Sequence, residues 1–348
     1  MTSPHFDPTS RLPEDLVLPR RVDSTGLNGP TRRMASGRSY ERVASGLYAP
    51  IDRSTSVEQR ILDSAARLAP DGRMGCVTGW AACRLHGAAY FDGLTPDGTT
   101  MLPVTLAVGA WGHLRSDSRS VADRSQITDP RHCSVAGVPV APIQRALFDE
   151  IRYRDSLWGA VQAIDMVAAA GLISVWLFAS YAGECNSANG APLLRRAVAL
   201  AVDESRSPRE TWLRLVWILV AALPWPLVNQ PVYDLDGRLL GIPDVFDPVA
   251  GMVGEYDGEA HRGVERHRKD VAREARFRDH GLEYFTVVQG DNQRVVARRI
   301  RDTRSRAQFL PPEACAWTLT RPTWDPAPPT LDQVLEQRGL VEELTRVV

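Results

Sequence analysis

Apolar positions recur with two periods along this chain, and the switches between them mark out elements. "SVEQRILDSAARLA" (Ser56–Ala69) sets Ile61, Ala65 and Leu68 on one face at helical spacing, with Ser56 as its cap. "YERVASGLYAP" (Tyr40–Pro50) predicts a strand pair turning at Gly46. "MGCVTGWAACRLHGA" reads as a strand and then a helix from about Thr78, and "MLPVTLAVG" as another strand. "VAGVPVAPIQRALFDEIR" gives strand, turn and helix, and helices follow over Trp158–Ala170 and Leu193–Asp203. Ser207 then caps a helix over Arg209–Leu223, with Pro208 at its first position and Pro224 closing it. Beyond it come two strands joined at Asp236-Gly237, a strand in "AGMVGEYDG", a helix ending at Gly281, a strand "LEYFTVVQ" and a helix "NQRVVARRIRDTRSRAQ".

These elements predict a mixed α/β fold in four parts. Residues 1–35, rich in Pro, Ser, Thr and Arg without periodicity, are expected to be disordered. Residues 36–203 form an α/β module and 204–308 a second domain of order α-β-β-β-α-β-α. Residues 309–348 form a Pro-rich spacer and a helix over Leu331–Thr345.

One stretch breaks the apolar pattern. "GIPDVFDPVAGMVGEYDGEAH" (Gly241–His261) sets Asp244, Asp247, Glu255, Asp257 and Glu259 among strand residues. A buried carboxylate without a partner costs several kcal/mol, so a base or a metal ion is implied. With a turn over Asp247-Pro248-Val249-Ala250, Asp244 lies opposite Val253 and Glu255 is its diagonal neighbour. Period-2 parity then gathers Asp244, Glu255 and Asp257 on one face. Three convergent carboxylates suit Mg²⁺ or Mn²⁺, ions that can activate water and neutralise charge on a phosphodiester. Asp247, before a proline in the turn, is expected to be solvated. Trp212, Trp217 and Trp225 are expected to fill the core.

Charge and cysteine usage narrow the class. The 348 residues carry a net charge of −1, so a polyanion surface has to be local. Such a surface falls between His261 and Arg306, where 13 Lys and Arg stand against 7 Asp and Glu. Five scattered cysteines without a Cys-x-x-Cys pair fit reduced thiols and a cytoplasmic setting. No secretory or membrane-spanning segment is read, so no membrane is expected among the partners.

The ordered pieces "SPRETWLR", "NQPVYDLDGRLLGIPD", "GEYDGEAH", "KDVAREARFRDHGLEYF" and Gly290-Asp291 resemble a PD-(D/E)XK nuclease domain. The likeness is to the branch resembling very-short-patch-repair endonucleases. It implies a mixed sheet flanked by helices, with Asp244 and Glu255 as metal ligands. Asp257 stands where the wider superfamily has a water-orienting lysine. Glu210 would add a ligand or a base, although Ser207 and Glu210 also make a capping box. His261 would lie at the mouth of the site. Asp270 and Arg273 match a D-x-x-R helix motif as an ion pair supporting the site. Arg266, Arg268, Lys269, Arg273 and Arg276 would grip DNA. Thr286 stands where the family often carries arginine.

Upstream, "ERVASGLYAP", "VTGWAACRLHGAAYFDG" and "GVPVAPIQRALFDEIR" resemble abortive-infection antitoxins of the AbiEi type, with Tyr40–Pro50 as the remnant of a winged-helix wing. Together the two likenesses imply a metal-dependent DNA endonuclease in phage or mobile-element defence, restrained by a regulatory partner protein. The alternative is a non-catalytic DNA-binding or antitoxin-like protein that keeps the nuclease fold. The absent superfamily lysine and Thr286 favour that alternative.

Overall fold

The computed structural model describes residues 16–69, 72–95, 97–125, 131–154, 156–185, 190–257 and 264–345, with backbone alone over 264–270. The fold is mixed α/β: helices alternate with four sheets, antiparallel or mixed. The chain divides into two compact units, residues 1–199 with 335–348, and residues 200–334.

A five-stranded sheet forms the middle of the first unit, in the order Ser120–Asp123, Val104–Ala107, Cys76–Thr78, Val138–Val140, Cys133–Val135. The helices Gly79–Leu85 and Ile143–Tyr153 pack against each other. Their buried acids are paired. Asp149 accepts from Thr78 Oγ1 (2.6 Å) and Arg145 Nε (2.9 Å), with Arg152 3.2 Å away. Glu150 accepts from Trp80 N–H (2.9 Å) and Arg154 Nε (2.6 Å). His86 closes the Gly79–Leu85 helix with Nε2 2.8 Å from the Ala141 carbonyl, and burial holds its pKa down.

Two expectations for this unit are corrected. Within residues 1–35, positions 16–35 carry structure. Arg20–Arg21 pairs with Leu47–Pro50 as the third strand of the Tyr40–Ala44 hairpin, and Arg32–Ala35 is a helix capped by Thr31. Positions 1–15 lie outside the described residues. The helix expected over Leu331–Thr345 is two, Leu331–Gln337 and Val341–Thr345, broken where Gly339 takes φ +69°. The second packs on Val175–Glu184, a helix that the sequence reading missed.

The second unit is built on a mixed sheet ordered Glu283–Val288, Met252–Asp257, Val245–Asp247, Leu227–Val228. Its first two strands are parallel, and the other pairings are antiparallel. The Asp236-Gly237 hairpin, Val232–Asp234 with Leu239–Gly241, belongs to a different sheet. There it is joined by Trp317–Thr318 from the expected spacer. The helix Val264–Asp279 ends as expected before Gly281, and its Phe277 is buried with Leu240, Phe246 and Val253. Full burial of such a ring stabilises by about 1.5–3 kcal/mol.

Two glycines allow close approach here. A Cβ on Gly241 would meet the Phe277 ring at 2.6 Å, and one on Gly254 would meet the Phe285 ring at 2.1 Å. The helix Pro208–Leu215 runs on as a π-helical stretch, Val216–Val220, rather than as α-helix to Leu223. Trp217 there is fully buried, whereas Trp225 is 50% exposed and does not fill the core.

Candidate functional site

The site lies where the Val245–Asp247 and Met252–Asp257 strands begin and end. Their register pairs Val245 with Gly254, Phe246 with Val253 and Asp247 with Met252. Continued by one residue, it sets Asp244 level with Glu255, not with Val253 as expected. The turn is Pro248–Gly251, one position along from the anticipated one. The slip is two residues, an even number, so the shared face of Asp244 and Glu255 survives.

Asp247 is corrected from solvated to buried. Its carboxylate accepts from the Val249 and Ala250 amides (3.0 Å each) and from Arg304 Nε (2.9 Å). It sits on the opposite face from Asp244, and it is a turn acid with its own counter-ion.

Asp244 is held differently. Its Oδ2 accepts the Tyr256 amide at 2.7 Å. Its carboxyl is pushed up to about 7, first by burial, then by the charge of Glu210, with Glu255 adding and Arg273 opposing. Glu210 keeps its place in the cap, its amide donating to the Ser207 hydroxyl oxygen (3.2 Å). Its Oε2 accepts from Asn229 Nδ2 and the Arg206 amide, both at 2.8 Å. Capping and proximity to Asp244 therefore coexist.

Glu255 is buried, and its Oε2 accepts from Arg273 Nη2 (2.7 Å) and the Tyr284 hydroxyl (2.8 Å). Burial and Glu255 push the Tyr284 phenol up. Arg273 thus serves Glu255. The expected Asp270–Arg273 ion pair involves a side chain outside the described residues. Thr286 is level with Glu255 on the parallel strand, and its carbonyl accepts from Arg299, which also binds Asp291 (2.6 Å).

The remaining expected residues divide. Asp257 ends its strand half-buried and level with Val288, and the charges acting most on Asp244 do not include it. Arg276 turns back to the Leu240 carbonyl (3.0 Å), so one face of its guanidinium is engaged. His261 lies outside the described residues, and so do the side chains of Arg266, Arg268 and Lys269 on the Val264–Asp279 helix. Tyr284, Asn229 and the Tyr256 amide were missed. Only Tyr284 left a signal, a hydroxyl inside the apolar strand "LEYFTVV".

For a hard divalent ion the donor chemistry fits, since Asp244 lies within reach of the charges of Glu210 and Glu255. The arrangement fits less well: Glu255 is committed to Arg273 and Tyr284. Among the described residues, no group of three or more His, Cys, Asp or Glu is arranged to hold a metal. None of the five cysteines forms a disulfide, and among the described residues no helix is long and apolar enough to cross a membrane.

No family model matches the chain, no curated protein is significantly similar to it, and no solved structure matches its fold.

Proposed function

We propose that residues 200–334 form a PD-(D/E)XK-like, metal-dependent endonuclease acting on DNA, joined to an AbiEi-like module in a defence role. One observation carries the reading: Asp244 faces Glu255 across a hairpin, and Glu210 adds to the charge that pushes Asp244 to about 7. A protein that only needed a stable hairpin would pair such an acid, as this chain does with Asp247 and Arg304.

Asp244 and Glu210 would hold Mg²⁺ or Mn²⁺, with Glu255 joining once Arg273 turns from it to the substrate. The bound ion supplies charge neutralisation on the phosphodiester and an acidified water. The chain's own contributions are orientation of the attacking water by Glu210 or Asp257 and gripping of the strand by Arg273 and the basic helix that carries it.

The full chain should nick or cut duplex DNA with Mg²⁺ or Mn²⁺. Asp244→Ala should lower that activity by at least about a hundredfold without lowering the melting temperature. Metal-dependent cleavage that survives the substitution overturns the assignment. Single-stranded DNA and RNA run beside the duplex define the substrate.

The Arg273–Glu255–Tyr284 contact favours a second reading, a DNA-binding or antitoxin-like protein that has kept the fold without the chemistry. Salt-dependent DNA binding, with no cleavage under any metal, is its signature.

A further inference from the structure

The first unit holds a cavity of about 320 Å³ away from the acids just described, between the Tyr40–Pro50 hairpin, the start of the Val57–Ala65 helix and the segments around Met101 and Arg119. Its lining is mostly apolar surface into which three arginines and two carboxylates are set. Both carboxylates are spent on one arginine: Arg53 Nη2 lies 2.6 Å from Glu41 and 2.7 Å from Asp63. The Arg53 and Asp63 side chains are largely buried and that of Glu41 is partly exposed, and together they form one wall of the cavity.

The other two guanidiniums are placed without an acidic hydrogen-bond partner. The Arg60 guanidinium carbon stands over the Trp80 ring, 4.8 Å from its centroid, and the group donates only through Nη2, to the carbonyls of Asp92 (3.0 Å) and Gly93 (3.1 Å). Among the described residues its Nε and Nη1 make no hydrogen bond, and Arg60 lines the cavity. Arg119 is exposed and makes one long contact, 3.5 Å, to the Val43 carbonyl. A guanidinium stacked on an indole and pinned by two carbonyls is pre-organised for a planar or tetrahedral oxyanion, because little side-chain freedom remains to be lost.

Two apolar side chains flank these donors. Ile51 is 61% exposed and Met101 70% exposed, and both line the same cavity. Exposed aliphatic and thioether surface beside arginines suits a flat ring attached to the anion. The volume is at the low end for small-molecule sites, large enough for one nucleotide and too small for a dinucleotide.

We propose that this cavity binds a mononucleotide, with Arg60 and Arg119 on its phosphate and Ile51 and Met101 against its base. The site belongs to the first unit and does not depend on nuclease activity in the second.

Isothermal titration of the full chain with AMP, GMP, adenosine and inorganic phosphate tests it, together with Arg119→Gln and Arg60→Gln. Arg119→Gln is the decisive variant, because its exposed side chain can be changed without touching the core. Saturable binding of a mononucleotide, at least about tenfold tighter than of adenosine or phosphate and weakened about tenfold by Arg119→Gln, is the expected result. The unliganded melting temperature should be unchanged in that variant. The proposal is overturned if no mononucleotide binds saturably, if phosphate binds as tightly as the nucleotides, or if neither arginine substitution weakens binding.

Discussion

Asp149 and Asp244 are both withdrawn from water, one in each unit, and the chain treats them in opposite ways. Asp149 is 2% exposed and surrounded by Thr78, Arg145 and Arg152. Asp244 receives one backbone amide and sits beside Glu210 and Glu255, with Arg273 as the only base among the groups acting most on it. The first arrangement repays desolvation with ion pairs and ties the Ile143–Tyr153 helix to the end of the Cys76–Thr78 strand. The second leaves negative charge incompletely balanced, which costs stability and marks the acid as a candidate for function. Burial alone therefore does not single out a candidate acid; the balance of its neighbours does.

The contrast can be broken by mutation. Asp149→Ala leaves Arg145 without its acid in a buried setting and should cost about 3–5 kcal/mol in urea unfolding. A loss below 1 kcal/mol would mean that the ion pairs are incidental. The pH response should differ next. Asp244 has a folded-state pKa near 7, above its ordinary 3.8, so folding favours its protonated form. That contribution is complete below 3.8 and is lost as pH rises through 7. In EDTA, the melting temperature of the natural chain relative to Asp244→Asn should fall by a few degrees between pH 5.5 and 8, and a flat difference removes the electrostatic argument. The smallest effect belongs to the cap that Glu210 shares: Ser207→Ala should cost about 1 kcal/mol, seen in thermal unfolding.

The acidic face was legible because β parity tolerates an even slip: the expected pairing was two residues off and still put Asp244 beside Glu255. The helices with clear caps, at Ser56 and Ser207, were legible for the local reason that a side-chain oxygen stands next to the first apolar turn. Long-range partners were not. Arg304 is 57 residues from Asp247, and nothing local announces that it neutralises a turn acid. Arg273 is 18 residues from Glu255, and nothing local announces that contact either. Trp317–Thr318 completes a sheet with residues more than eighty positions earlier, which no periodicity within a Pro-rich stretch reveals.

The first unit is interrupted in sequence by the whole of the second. Gln144 donates to the Glu343 carbonyl (3.1 Å), and Leu335 and Leu344 are buried. During synthesis the ribosome must therefore deliver residues 200–334 before the earlier unit can receive its closing helices. Until then, that unit exposes the apolar surface that Val341–Thr345 will cover on the Val175–Glu184 helix, and a chaperone would have its longest opportunity there.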